Sequence, residues 1–333
     1  MLLGVAMLVF IMFQGLGDPA RLMVGQTGDK KTLDNIRSEL YLDQPKWKQF
    51  VLYLNDISPV SVYKKEDIQK KQLKGFFFGG DTKIGLKIPY LRQSYQTKEN
   101  VGTVLLRALP GTILLSVAAM LFAIIVGIFL GVLAAVKKGT WMDTSAIFAS
   151  IVGISAPSFF MALVVAYLFG VVLHPYTGLD LTGSWFDIDE VTGEKYLTLK
   201  NLILPAFTLG IRPLAIITQL TRSSMLDILS QDYIRTAYAK GLSKRAVIFK
   251  HALRNALNPV VTAITGWFAE LLAGAFFVEY IFGWKGIGKI TVDALEKLDY
   301  PIVMGSVLLS ACIFIVINIV ADILYGIIDP RVK

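Results

Sequence analysis

The chain has 333 residues, of which 54% are hydrophobic and only 17% charged, with a mean hydropathy of +0.59 and a formal net charge of +8. A soluble chain of this length carries about a quarter of its residues charged, so the charge deficit argues against a soluble fold. Nor does the basic excess signal nucleic acid, because the Lys and Arg residues fall in loops between apolar runs.

Six apolar stretches succeed one another along the chain: 1–16, 112–136, 144–173, 202–220, 260–282 and 303–319. About 20 helical residues, each rising ~1.5 Å, match the hydrocarbon of a bilayer. The stretches 112–136 and 144–173 hold no Asp, Glu, Lys, Arg or His and are too long for buried helices of a soluble core. The expected fold is therefore an all-α integral membrane protein with six transmembrane helices. The first stretch is short and lacks a basic flank. It has the apolar length of a signal peptide, with Gly15 and Gly17 near a cleavage point, but a signal peptide starts with positive charge. Residues 1–16 are thus expected to stay as a span, and a start slightly upstream would supply the missing flank.

Short loops rich in Lys and Arg mark the cytoplasmic side. Lys137 and Lys138 follow the second span, and 221–258 carries Arg222, Arg235, Lys240, Lys244, Arg245, Lys250 and Arg254 against Asp227 and Asp232. By contrast 174–201 holds Asp180, Asp187, Asp189, Glu190 and Glu194 against Lys195 and Lys200. This pattern places both termini and the 221–258 loop in the cytoplasm, and the region 17–110 outside as a small ordered layer with a lysine-rich helix or loop at 64–74. The core is then 111–333.

The loop 230–259 is the segment most suited to a function. Ser230 is a candidate N-cap, Asp232 suits the positive end of a helix dipole, and Gly241 stands where a helix ends in a left-handed residue. Ser243 can cap a second helix to about Leu257, with Phe249, Leu253 and Leu257 as one apolar stripe, and Pro259 can open the next span. By physics alone this basic elbow either rests on anionic headgroups or docks a soluble partner. A DNA-reading helix pair has little in its favour, because the segment is tethered between two spans.

The run Asp232-Tyr233-Ile234-Arg235-Thr236-Ala237-Tyr238-Ala239-Lys240-Gly241-Leu242, followed by His251-Ala252-Leu253-Arg254-Asn255-Ala256-Leu257 and Pro259, resembles the coupling loop of binding-protein-dependent ABC importer permeases of the dipeptide and oligopeptide type. Gly17-Asp18-Pro19-Ala20, Leu42-Asp43-Gln44-Pro45, Val278-Glu279-Tyr280-Ile281-Phe282 with Gly286-Ile287-Gly288, Asp299-Tyr300-Pro301 and Asp329-Pro330-Arg331 resemble further motifs of its B-type subunit, in the family's order. Lys285, where the family has proline, Glu270, where it has a small residue, and the regions 58–89 and 184–196 depart from it. The resemblance implies a type I importer permease in the cytoplasmic (inner) membrane. A second homologous permease subunit, two ABC ATPase subunits carrying ATP and Mg²⁺, and an extracytoplasmic substrate-binding protein would be its partners. It gives Tyr233, Arg235, Ala237, Ala239, Lys240, Gly241, Leu242, His251, Leu253, Arg254 and Asn255 an ATPase-coupling role, with peptide as cargo and nickel or oligosaccharide as alternatives.

Four intramembrane polar residues need an account. Glu270 in the fifth span costs a few kcal/mol unless paired or facing water, which points to a pore-facing role, with Arg212 beside Pro213 as a candidate partner. A proton-coupled secondary transporter built on Glu270 is the rival mechanism, and a protonated Glu270 against another subunit is the bland one. Asn318 and Asp322 share one helical face near the inner boundary, where tying the helix end is the simpler role. The run Gly283 to Lys289 nearly fits a phosphate-binding loop, but Ile290 replaces the Ser or Thr that would hold Mg²⁺, so it is expected to be a turn. The two histidines, His174 and His251, fall on opposite sides of the membrane and the single Cys312 lies in an apolar run, so neither a metal site nor a catalytic group is expected, and no cofactor on this chain.

Overall fold

A computed structural model describes residues 1–15, 20, 33–34, 37, 41–188, 193 and 195–328, with no side chains described for 187–188, 195 and 324–328. The expected motifs at 17–19 and 329–331, and Asp189, Glu190 and Glu194, lie outside the described residues. The chain divides into two compact units, Met1–Ala108 with Ile290–Cys312, and Leu109–Lys289 with Ile313–Lys333.

In the first unit, helix Leu2–Gly15 buries Ala6, Val9, Phe10 and Phe13. These positions repeat at helical spacing, so one face packs with Tyr53, Tyr95, Tyr300, Met304 and Leu308 while the rest stays exposed. The region expected to be a small ordered layer includes an antiparallel sheet of Val60–Lys64, Gly75–Phe78 and Thr82–Lys87, with the last strand in the middle. The chain is therefore not wholly helical. Its strands reverse the usual pattern: Ser61, Tyr63 and Lys87 are buried, whereas Val60, Val62, Phe76, Phe78, Ile84 and Leu86 form one exposed face. The buried face is polar because it covers Asp56, whose carboxylate accepts from Tyr63 Oη at 2.7 Å and pairs with Lys71 Nζ at 2.7 Å. Lys71 in turn sits over the rings of Tyr41, Tyr63 and Tyr90 at 4.9, 5.1 and 5.3 Å. Of the run 64–74, expected as a helix or loop, Lys65–Lys70 is a short helix and Lys64 ends a strand.

The second unit is built on close helix contact. Small residues recur every fourth position along helix Val101–Val136, at Ala119, Ala123, Gly127, Gly131 and Ala135. They let the backbone of helix Ile203–Leu229 approach, as small residues do in membrane bundles. A Cβ on Gly127 would lie 2.9 Å from Ile217 Cγ2, one on Gly131 2.5 Å from Thr221 Cβ, and one on Gly210 2.8 Å from the Ala119 oxygen.

Two expected spans are broken. The stretch 144–173 is two helices, Trp141–Ser155 and Ser158–Val172, bent by 111°. Pro157 lacks an amide proton and pushes Ala156 into an extended conformation (φ −75°, ψ 130°), so the first helix ends there. The stretch 260–282 is helix Asn258–Gly274 followed, after Ala275, by Phe276–Ile281. Val101–Val136, Leu199–Leu229 and Tyr300–Ile323 are each long and apolar enough to cross a membrane. With Trp141–Ser155 and Ser158–Val172 taken as one span, and Lys244–Ala256 and Asn258–Ala273, bent by 54°, as another, the described residues give up to five such spans, and Leu2–Gly15 is a shorter apolar helix.

Candidate functional site

The 230–259 segment forms the elbow that its glycine implied, with different edges. Ser230 closes helix Ile203–Leu229, donating to the Asp227 oxygen at 2.7 Å, and Gln231 takes the N-cap position of helix Asp232–Ala239 instead. That helix stops at Gly241, whose φ is +79°. Gly241 N donates to the Tyr238 oxygen at 2.9 Å and Leu242 N to the Ala237 oxygen at 3.3 Å. This pair of bonds is a Schellman closure, and it needs a residue that tolerates the left-handed region. Ser243 caps the second helix, accepting from Ala246 N at 3.4 Å.

That second helix differs from the expectation in its winding. Val247–Ala252 is a π-helical turn between Lys244–Ala246 and Leu253–Ala256. The added residue per turn rotates the buried stripe, so Val247, Ile248, Ala252 and Ala256 face inward while Phe249 is exposed. The inward stripe packs with Ile234, Ala237, Met225, Val132 and Ala135, so the elbow rests on two long helices of its own unit. Asn255 Nδ2 ties the two arms by donating to Tyr233 Oη at 3.0 Å.

Of the expected coupling residues, Ala237 is buried and His251 and Leu253 are half-buried, which makes them anchors. Tyr233, Arg235, Ala239, Lys240, Gly241, Leu242, Arg254 and Asn255 are exposed. The exposed surface joins the apolar Tyr233, Tyr238, Leu242 and Phe249 to Arg235, Lys240, Lys244, Arg245, Lys250 and Arg254. An apolar patch with a basic rim suits a groove on another protein.

Glu270 and Arg212 line one cavity with Trp267, Ser158 and Thr208. Among the described residues they form no ion pair with each other; the Arg212 guanidinium lies over the Trp267 ring at 5.6 Å. Asn318 donates to its own helix at the Phe314 oxygen, 2.7 Å away, and Asp322 is exposed on the same helix.

Sequence alone assigned Glu270 a role, but Glu279 only a place in the Val278–Phe282 motif and Arg222 only one among the loop charges. Glu279 is fully buried. It accepts from Thr112 Oγ1 at 2.7 Å, Gly288 N at 2.7 Å and Lys289 N at 3.2 Å. It thus fills, with its own carboxylate, the place an anion would take in the Gly283–Lys289 turn, which therefore does not fit a nucleotide phosphate. Arg222 donates to both oxygens of Asp143, with Nη2 at 2.9 Å, and ties helix Trp141–Ser155 to Ile203–Leu229. Glu279 was visible as an acidic residue ahead of a glycine-rich turn. Nothing local marked Arg222, because its partner is 79 residues away.

Residues 127–333 match the family described as the binding-protein-dependent transport system inner membrane component, and residues 1–68 match its N-terminal counterpart. The di/tripeptide transport system permease protein DppB of Pseudomonas aeruginosa is 37% identical over 348 residues, covering 99% of this chain and 94% of its own. The dipeptide transport system permease protein DppB of Haemophilus influenzae is 43% identical over 254 residues, 72% of this chain and 76% of its own. The glutathione transport system permease protein GsiC of Salmonella paratyphi A is 35% identical over 335 residues, 100% of this chain and 94% of its own. A chain of the inward-facing MetNI methionine ABC transporter superposes with a TM-score of 0.52 at 18% identity, covering 68% of this chain and 97% of that one, a likeness of fold alone. On these matches the chain belongs to the binding-protein-dependent transport system inner membrane component family, as a membrane-embedded permease subunit of an ABC importer.

Proposed function

We propose that this chain is one half of the pore of an ATP-driven importer of short peptides, crossing the inner membrane six times with both termini in the cytoplasm. The di- and tripeptide permeases at 35–43% identity support the cargo class. The elbow at 230–259 is the ATPase dock. Its inward stripe ties it to helix Ile203–Leu229, and its outward apolar and basic surface faces the cytoplasm under the positive-inside rule. Two separate ATPase subunits supply ATP and Mg²⁺ chemistry, since the one turn here that resembles a phosphate loop holds Glu279 in its place. A second permease half and an external binding protein complete the machine. In alternating access, closure of the ATPases moves the elbow, and the elbow moves the long helices.

The observation that carries this is the left-handed Gly241 between two anchored arms. An added Cβ there meets nothing within 4 Å, so backbone strain and not space limits the position. A β-branched residue in that conformation costs on the order of 1–3 kcal/mol, while Asn tolerates it. In proteoliposomes holding the full importer, Gly241→Val is expected to leave ATP hydrolysis running without peptide uptake, and Gly241→Asn to retain coupled uptake. Wild-type uptake by Gly241→Val would end the elbow mechanism.

A further inference from the structure

Charge inside an apolar span is expensive, and residues that carry it face a partner or a water-filled path. Arg212 and Glu270 are both exposed within their unit, on helices that count among the candidate spans or their bent pairs. They line one cavity, yet do not neutralise each other, since no ion pair joins them among the described residues. Arg212 is held instead against the Trp267 ring. The cavity is shaped by the 111° bend at Ala156 and Pro157, which brings Gly153, Ala156 and Ser158 to its wall. Its volume is about 80 Å³. One water occupies roughly 10–15 Å³ on this measure, so there is room for about 5–8 waters, the scale of a two-residue peptide backbone. Such a backbone, extended, spans about 7 Å between its ends.

We infer that Arg212 and Glu270 form a zwitterion-binding subsite in the permeation path, with the Glu270 carboxylate receiving the free ammonium of a short peptide and the Arg212 guanidinium its carboxylate. The inference rests on the peptide-importer reading and adds to it a requirement for both free termini at the pore itself. A guanidinium fork suits a carboxylate, and the Trp267 ring 5.6 Å away holds the cation beside the cavity. The two charges, which form no ion pair with each other among the described residues, each gain an opposite charge when the zwitterion binds, and neither end group can be replaced by a neutral one without loss.

The test uses the assembled importer without its binding protein, so that the pore alone is read. Radiolabelled Ala-Ala, its N-acetyl derivative and its C-terminal amide are measured by equilibrium dialysis against wild type, Glu270→Gln and Arg212→Gln, and basal ATPase activity checks assembly. Charge-assisted hydrogen bonds of this kind are worth about tenfold or more in affinity, so wild type should bind Ala-Ala at least that much more tightly than either derivative. Glu270→Gln should lose the discrimination against the N-acetyl form only, and Arg212→Gln that against the amide only. Equal affinities for all three ligands in wild type, or unchanged ratios in the variants, would overturn the subsite while leaving a peptide importer standing. A Glu270→Gln variant that stops all uptake with binding ratios intact would also overturn it, in favour of proton relay. Failure of the complete wild-type importer to take up any peptide would instead remove the underlying function.

Discussion

At the scale of single residues, conformation and charge decide more than size. Gly241 was legible because a glycine after a helical run, with a lysine before it, is a local signal. The Tyr233–Asn255 hydrogen bond across the elbow was not, since it joins residues 22 apart whose proximity depends on the turn. Tyr233→Phe removes one exposed bond, worth about 1 kcal/mol, and is expected to lower the thermal midpoint of the complex slightly without uncoupling transport. Glu279 is the contrasting case. Gly286 is forced by proximity: a Cβ there would fall 2.3 Å from the Glu279 carboxylate. Gly286→Ala is therefore expected to displace the carboxylate and strip the turn of its acceptor, giving a protein that reaches the membrane poorly, as read by quantitative immunoblot of membrane fractions.

Among elements, the stripe of small residues sets how closely helices Val101–Val136 and Ile203–Leu229 approach. Gly131→Val places atoms within 2.5 Å of Thr221 and is expected to cost about 1–3 kcal/mol by overpacking, seen as a lower melting temperature in detergent. Gly266→Val, where an added Cβ meets nothing within 4 Å, is the control that should melt near wild type. The sheet of the first unit escaped the sequence because its alternation is inverted, with polar residues turned in toward Asp56. That buried centre has a pH signature. Burial pushes the Lys87 ammonium down to about 8, so the fold holds fewer protons there than the unfolded chain, and stability rises as pH climbs from 8 toward 10. Burial raises the phenols of Tyr41, Tyr53 and Tyr63, so above pH 10 the fold holds more protons than the unfolded chain and stability falls. Hydrogen exchange of the 46–87 amides, corrected for intrinsic rate, should thus show greatest protection near pH 10, and Lys87→Met should abolish the rise from pH 8. Protection that declines monotonically from pH 8 in the wild type would contradict this account.

For the whole molecule, the proposed topology has a direct check, because Cys312 is the only cysteine. On a Cys312→Ser background, a membrane-impermeant thiol reagent added to spheroplasts is expected to label Lys70→Cys and Thr177→Cys. Lys138→Cys and Lys250→Cys should react only after permeabilisation. Labelling of Lys250→Cys in intact cells would invert the orientation and remove the ATPase dock from the cytoplasm.

Composition and periodicity alone determined that this chain lives in a bilayer, roughly where its apolar runs lie and where its elbow turns, because hydrophobic length and glycine conformation are local properties. The break at Ala156 follows locally from Pro157, whereas the inverted sheet of the first unit and the Arg222–Asp143 tie join distant segments, and only the tertiary structure decided them. The same holds for Gly241. Its turn was written in eleven consecutive residues, but the seating of its inward stripe on Met225, Val132 and Ala135 came only from the tertiary structure. Burial of that stripe is a property of neighbours that no single stretch of sequence contains.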